Sequence, residues 1–504
     1  MPRFDTSALP RATYPTDEMS INPDSHSNAA TTSTLYVDLD GTLIASDVLW
    51  ESICLLARRR PADLLRVPFW LRRGRACLKR NLAERVKPDV ALLPYREEVL
   101  AYLRQERSRG RRVVLATASD DELAQKISDH LGLFDDAFGS DGRNNLKSAA
   151  KLAVIREREG QRGFEYVGDS SADVPIWEDA AASTLVAPSA RTAHAVQQMD
   201  TPTRTLVTRS GALRSALKAM RPYQWVKNAL LFVPLILAHQ LADAERWLGS
   251  VVAFVAFSFV ASATYIWNDL LDIEADRRHP RKRKRPFAAA SLSIPAGFTL
   301  SLSLLVTGLG VCAALAPAPV TGMVLLYLGL TTSYSFYFKE RLFIDVLILA
   351  GLYALRVLTG GVAASVPVSP WLLAFSLFFF LSLAFAKRYA ELLGAQASQR
   401  ERLERRGYEV GDIGLVETMG ATAGYLSVLV LALYVNGAGE SGLYREAGLL
   451  WTVCPIMLFW ITRVWFLARR GELHDDPVLF AATDPVSYLA GAAIALVGVL
   501  AALS

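Results

Sequence analysis

Apolar and polar positions change rhythm twice along this chain. Residues 1 to about 33 are rich in Ser, Thr, Pro and Asn and lack the apolar core of a signal peptide, so they read as a flexible tail. From Leu35 to about Pro188, short apolar stretches alternate with charged stretches of helical period, the rhythm of a soluble α/β domain. Three strands are predicted within it, Thr34 to Leu39, Arg112 to Ala116 and Phe164 to Val167, each running directly into polar, small or acidic residues. Residues 191–219 lose strong periodicity and read as a linker ending in a basic amphipathic helix. Beyond Trp225 nine apolar segments follow, at roughly 228–240, 248–267, 293–316, 319–338, 343–363, 370–386, 419–436, 449–467 and 486–503. Most reach the roughly 20 residues that cross a bilayer core, and the first is short. The pattern predicts two domains: an α/β domain over 34–190 and an all-α polytopic membrane bundle over 220–504.

Composition agrees with the split. A chain of 504 residues exceeds what one core organises, and 52% hydrophobic with 20% charged residues is too apolar for a soluble protein yet too charged for one wholly in lipid. A net charge of +5 requires no nucleic acid and fits the anionic inner face of a membrane. Cys54, Cys77, Cys312 and Cys454 lie far apart without a CxxC, which argues against zinc sites and a disulfide framework. Basic residues gather in the connections after the second, fourth, sixth and eighth apolar segments, for example Arg277 to Arg285. By the positive-inside rule those connections and the N-terminal domain are cytoplasmic, and the C-terminus lies on the far side.

The first strand runs into Asp38-Leu39-Asp40-Gly41-Thr42. Two carboxylates at i and i+2 leaving a strand point the same way, so one can attack phosphorus while the other moves a proton, and a divalent cation would suppress their repulsion. The second strand ends at Thr117, Lys147 offers a cation, and the third strand ends in Gly168-Asp169-Ser170-Ser171-Ala172-Asp173. This ordered set resembles the haloacid dehalogenase (HAD) superfamily, a Rossmann-like α/β fold. The resemblance implies Asp38 as nucleophile and Asp40 as general acid/base. It implies Thr117 and Lys147 as phosphate ligands, Asp38, Asp40 (through its carbonyl) and Asp169 as Mg²⁺ ligands, and Asp173 as a supporting carboxylate. Residues of about 48–108 would then form a small helical cap governing access to the site. The other reading is a HAD fold retained as an inactive adaptor.

The second apolar segment ends in Asn268, Asp272 and Asp276, at i, i+4 and i+8 on one helical stripe, followed at once by Arg278-His279-Pro280-Arg281-Lys282-Arg283-Lys284-Arg285-Pro286. Acids for Mg²⁺ beside bases for phosphate make a diphosphate site. The pattern resembles the UbiA superfamily of intramembrane prenyltransferases. RPYQWVKN (Arg221 to Asn228), the Tyr334 to Lys339 element and GELHDDPVLFAATDP (Gly471 to Pro485) look like its decaprenyl-phosphate phosphoribosyltransferase branch. Where ordinary members carry a second DxxxD motif, this chain has only Asp345.

The resemblance implies Mg²⁺ on Asn268, Asp272 and Asp276, with Lys282 and Arg285 gripping phosphate. Lys227, Tyr334, Lys339 and Arg356 would position two phosphates, and Gln224, Asn228 and Asp345 would contact substrate. Phosphoribosyl pyrophosphate and a polyprenyl phosphate would be the substrates, in a bacterial plasma membrane, with the HAD domain removing the 5-phosphate of the product. A homo-oligomer is compatible with this reading. The alternatives are prenyl transfer from a prenyl diphosphate to an aromatic or other acceptor, and a transporter or scaffold carrying a HAD adaptor.

Overall fold

The computed structural model describes residues 33–208, 211–403, 406–438, 444–473 and 476–503. The N-terminal tail, Arg405, and His474 and Asp475 of the late motif lie outside the described residues. The chain forms two compact units, one from residues up to Ile44 with Tyr95–Arg209, the other from Ala45–Pro94 with Ser210–Ser504.

The first unit is built on a six-stranded sheet: β1 (Thr34–Val37), β2 (Val113–Asp120), β3 (Asp136–Ser140), β4 (Phe164–Gly168), β5 (Ala182–Val186) and β6 (Thr203–Val207). All neighbours are parallel and the order is β3-β2-β1-β4-β5-β6. All four residues of β1 are buried, as both faces of a parallel sheet require. The three predicted strands are the three central ones, and the chain order reverses at β1, so ligands are expected beyond the carboxyl ends of β1, β2 and β4. The expected linker is corrected in part. Residues 203–207 form β6, a half-exposed edge strand whose alternation of Thr and Arg hides it from an apolar-run reading.

The expected cap boundaries are also corrected. The Glu97–Ser108 helix buries Val99, Leu100 and Leu103 and belongs to the first unit. Only Ala45–Pro94 forms the helical insertion, and it belongs to the second unit. Its Val48–Arg59 helix puts Cys54 into an apolar cluster with Ala263, Ile266, Leu270 and Phe287. Glu51 receives a two-pronged ion pair from Arg277 at 2.7 and 2.9 Å, both side chains buried. Arg59–Glu274 and Asp89–Arg278, each 3.0 Å, fasten its rim.

In the second unit seven helices among the described residues are long and apolar enough to cross a membrane. The expected count of nine is therefore not confirmed. The segment at 228–240 is a 3-10 turn, Pro222–Phe232, followed by the five-residue helix Val233–Leu237, each with a proline in its first turn. Ala318–Phe336 is helical but ends in Thr331, Thr332, Ser333, Tyr334 and Ser335. Small residues let backbones approach. A side chain at Gly360, in the Ile344–Ala363 helix, would meet the Leu231 backbone, which is how the Pro222–Phe232 turn comes to lie against that helix.

Candidate active sites

In the first unit the loops leaving β1, β2 and β4 bring their acids together. The Asp38 amide is held by the Val167 carbonyl at 2.9 Å, and Leu43 N–H returns to the Asp38 carbonyl at 3.2 Å, which folds the loop back on itself. Gly41 sits at φ +80°, and a Cβ there would fall on the Asp169 carboxylate, so this loop can lie against the β4 loop only with glycine. Ser119 Oγ donates to Asp40 at 2.7 Å. Thr117 is buried at the end of the apolar run of β2, its hydroxyl accepting the Ser119 amide at 3.0 Å.

Lys147 is not brought to this cluster; it lies exposed before the Ala149–Glu159 helix. One turn later, Lys151 is buried, 2.7 Å from Asp38 Oδ1, 2.7 Å from the Tyr166 hydroxyl and 3.9 Å from Asp173. The expectation for Lys147 is thus corrected to Lys151: Lys147 lies before the helix, Lys151 lies within it, and only Lys151 reaches the carboxylates. Tyr166 in turn donates to Asp173 at 3.0 Å.

Burial, opposed by Lys151 and reinforced by Asp173 and Asp40, pushes the Asp38 carboxyl up to about 6. Burial and the charges of Asp38, Asp173 and Asp40 push Asp169 up to about 8. Oxygen atoms of Asp38, Asp169 and Asp173 lie within 4.8 Å of one another. Three crowded carboxylates offering only oxygen fit a hard divalent cation.

In the second unit a cavity of about 180 Å³ is lined by Lys227, Asn268, Tyr334 and Arg356, four of the expected residues, together with Lys387 and Asp476. Tyr265, Tyr327, Leu349, Leu352 and Leu383 make it apolar elsewhere. Asp476 takes Lys227 at 2.5 Å and Lys387 at 3.5 Å. Burial works to raise its carboxyl, but the two lysines outweigh burial and hold it well below the usual carboxylate range. Arg356 is fully engaged, through Asn228 at 2.8 Å, the Leu352 carbonyl at 2.7 Å and Tyr327 at 3.2 Å. Asn228 therefore acts on Arg356, and Gln224, half-buried on the same turn, does not line the cavity.

Asp345 is not brought to the cavity either. It is fully buried, 2.6 Å from Arg388 and 2.7 Å from the Tyr408 hydroxyl, an anchor between helices. The acidic stripe keeps its register across a helix break at Asp272, with Asp272 N–H on the Asn268 carbonyl at 3.0 Å and Asp276 N–H on the Asp272 carbonyl at 2.8 Å. Asp276 pairs with Arg285 at 2.8 Å, and Asp272 lies 3.4 Å from Lys339. Lys282 is exposed on the following turn. Buried Asp269 accepts from Arg221 at 2.5 Å and Arg285 at 3.0 Å, while its second oxygen has no hydrogen-bond partner. Carboxylates interleaved with bases, one oxygen orphaned, fit a cation that arrives with a diphosphate better than a bare ion.

The sequence matches the UbiA prenyltransferase family over residues 229–502, more than half its length. The chain belongs to the UbiA prenyltransferase family. Residues 35–178 match haloacid dehalogenase-like hydrolases, so this UbiA protein also carries a HAD domain. It is 40% identical over 470 residues, 93% of this chain and 90% of the other, to the uncharacterized protein y4nM of Sinorhizobium fredii. To the decaprenyl-phosphate phosphoribosyltransferase of Mycobacterium tuberculosis it is 35% identical over 293 residues, 56% of this chain and 92% of that one. A solved UbiA homolog from Archaeoglobus fulgidus, bound to GPP and Mg²⁺, aligns at 14% identity over 57% of this chain and 100% of that one, with a TM-score of 0.45. With seven helices long and apolar enough to cross a membrane among the described residues, this UbiA protein is a multi-pass membrane protein.

The sequence reading of this UbiA protein missed Lys151, Tyr166 and Ser119 in the HAD domain, and Lys387, Asp476 and Asp269 in the membrane unit. Asp476 lies inside GELHDDPVLFAATDP and Asp269 directly follows Asn268, and a polar residue buried at an apolar boundary was the available signal. Lys387 was visible only as one more basic residue after an apolar segment.

Proposed function

We propose that the membrane unit transfers 5-phosphoribosyl from phosphoribosyl pyrophosphate to a polyprenyl phosphate, and that the HAD domain removes the 5-phosphate to give polyprenylphosphoryl ribose. The reading rests above all on the cavity in which Lys227, Arg356 and Lys387 outnumber Asp476, a positive excess suited to phosphate beside an apolar wall suited to a prenyl chain. The likeness to decaprenyl-phosphate phosphoribosyltransferases supports it.

In the transfer step an oxygen of the lipid phosphate forms a bond to C1 of the ribose as the bond from C1 to diphosphate breaks. The nucleophile is already anionic, so the residues orient rather than deprotonate. Lys227 and Lys387 hold the lipid phosphate, tuned by Asp476. Arg285 and Lys339 face the leaving diphosphate. Mg²⁺ held by Asn268, Asp272 and Asp276 would offset the charge of the leaving group.

In the hydrolytic step Asp38 attacks phosphorus, the bond to the ribose 5-oxygen breaks, and Asp40 gives that oxygen a proton. Water then attacks the aspartyl phosphate as Asp40 takes a proton back. Lys151 keeps Asp38 ionised against its burial, and Ser119 orients Asp40. Mg²⁺ at Asp38, Asp169 and the Asp40 carbonyl would stabilise the phosphoryl oxygens.

Both sites face the cytoplasm of a bacterial plasma membrane in this reading. The test is label transfer from ribose-labelled phosphoribosyl pyrophosphate to added polyprenyl phosphate. Mg²⁺-dependent, lipid-soluble label that disappears in Asp272→Ala is expected. Label that moves only from a prenyl diphosphate to an aromatic acceptor would instead support the ordinary prenyltransferase reaction.

A further inference from the structure

We propose that Thr331, with the Tyr334 phenol beside it, binds a ribose hydroxyl of the sugar donor and so sets the preference of the transferase site for a phosphoribosyl over a prenyl diphosphate. The inference rests on the transferase reading above and names what recognises the sugar within it. Both side chains line the cavity of about 180 Å³. They stand at i and i+3 near the end of the Ala318–Phe336 helix, so they share a face.

The Thr331 hydroxyl is buried and has no hydrogen-bond partner in the protein. A serine or threonine within a helix commonly returns its hydroxyl to the carbonyl one turn back. Ser335, Thr359 and Ser376 do so at 2.9, 2.6 and 2.7 Å. Thr331 does not, and among the described residues it is the one buried, unpartnered hydroxyl that lines the cavity. A buried hydroxyl left unpaired costs free energy, which a ligand carrying a matching group recovers.

The Tyr334 oxygen accepts from Arg406 at 2.7 Å and from Arg388 at 3.4 Å. With its lone pairs taken, the phenol keeps its own proton to give, and no group among the described residues accepts it. Two uncharged groups side by side, one that donates and one that donates or accepts, match a sugar hydroxyl, which does both. Lys227 and Lys387, on the same cavity, already serve phosphate. Asn268, the first residue of the acidic stripe, lines it too, so the ribose of a donor whose diphosphate sits on that stripe would meet Thr331. A prenyl diphosphate offers apolar carbon where ribose offers hydroxyls and would leave both groups unpaired, the usual basis on which a site rejects an analogue lacking a hydroxyl.

The test is calorimetric titration of the full-length Asp38→Asn protein, which spares the 5-phosphate of the donor, with phosphoribosyl pyrophosphate and separately with inorganic diphosphate, both in Mg²⁺. The parent binds phosphoribosyl pyrophosphate the more tightly. Thr331→Val, which keeps the shape and removes the hydroxyl, weakens phosphoribosyl pyrophosphate about tenfold and leaves diphosphate within about twofold. Thr331→Ser, which keeps the hydroxyl, retains the affinity, and Thr331→Ala carries the expectation of the valine variant should that one not fold. Phosphoribosyl pyrophosphate affinity within about twofold of the parent in Thr331→Val overturns the proposal, as does an equal loss for diphosphate, which would make Thr331 a phosphate ligand. A parent that binds the two alike fails the donor reading itself, before any variant is compared, and takes the proposal with it. If the ribose-dependent affinity is lost in Thr331→Val while no phosphoribosyl label reaches lipid, the lipid acceptor is wrong and the sugar site stands.

Discussion

Two lysines four residues apart show what decides a site at the residue scale. Lys147 and Lys151 are equivalent in charge and close in sequence, yet Lys147 lies exposed ahead of the Ala149–Glu159 helix and only Lys151 is buried beside Asp38. Lys151→Met is expected to lower phosphatase turnover by about 100- to 1,000-fold, the usual effect of losing one fixed charge stabiliser. Lys147→Ala should stay within about twofold in the same phosphate-release assay. The acids were legible because their spacing is local: DLDGT and GDSSAD each place carboxylates at the end of a strand. The lysine was not, because depth depends on how its helix lies on the sheet. Asp345 makes the same point. Its partners, Arg388 and Tyr408, are 43 and 63 residues away, so nothing local marked it as an anchor rather than a substrate ligand.

At the scale of elements, the membrane cavity depends on a broken helix. The Pro222–Phe232 turn carries Asn228 to Arg356 and Lys227 to Asp476, and it can do so because Gly360 leaves its backbone room against the Ile344–Ala363 helix. Gly360→Ala would force the two backbones apart, at a cost of about 1–3 kcal/mol. Transfer to lipid should fall at least tenfold, while phosphate release from a soluble phosphate ester by the HAD domain stays unchanged. Equal loss of both activities would mean general unfolding instead. The long apolar helices were legible from composition, but this segment was read as a short span because its prolines were outweighed by its apolar run. The central strands were legible as apolar runs, whereas β3, β5 and β6 are short and rich in small or polar residues and depend on the sheet already being there.

At the scale of the molecule, sequence order and structural membership part company. Ala45–Pro94 interrupts the HAD sequence, yet it packs with the membrane helices through Glu51–Arg277, Arg59–Glu274 and the cluster around Cys54. No pattern within residues 45–94 announces that, since the ion pairs to Glu274, Arg277 and Arg278 join positions 189 to 226 apart in the chain. In the two-step reading, carrying both sites on one chain raises the local concentration of the intermediate without any new contact. The most direct test of the two-step reading uses phosphoribosyl pyrophosphate labelled in its 5-phosphate, with polyprenyl phosphate and Mg²⁺. The intact protein should release that label as inorganic phosphate in step with lipid product, and Asp38→Asn should hold the same label on the lipid. Asp38→Asn protein that leaves no lipid-soluble label, while the intact protein still frees phosphate, would contradict it.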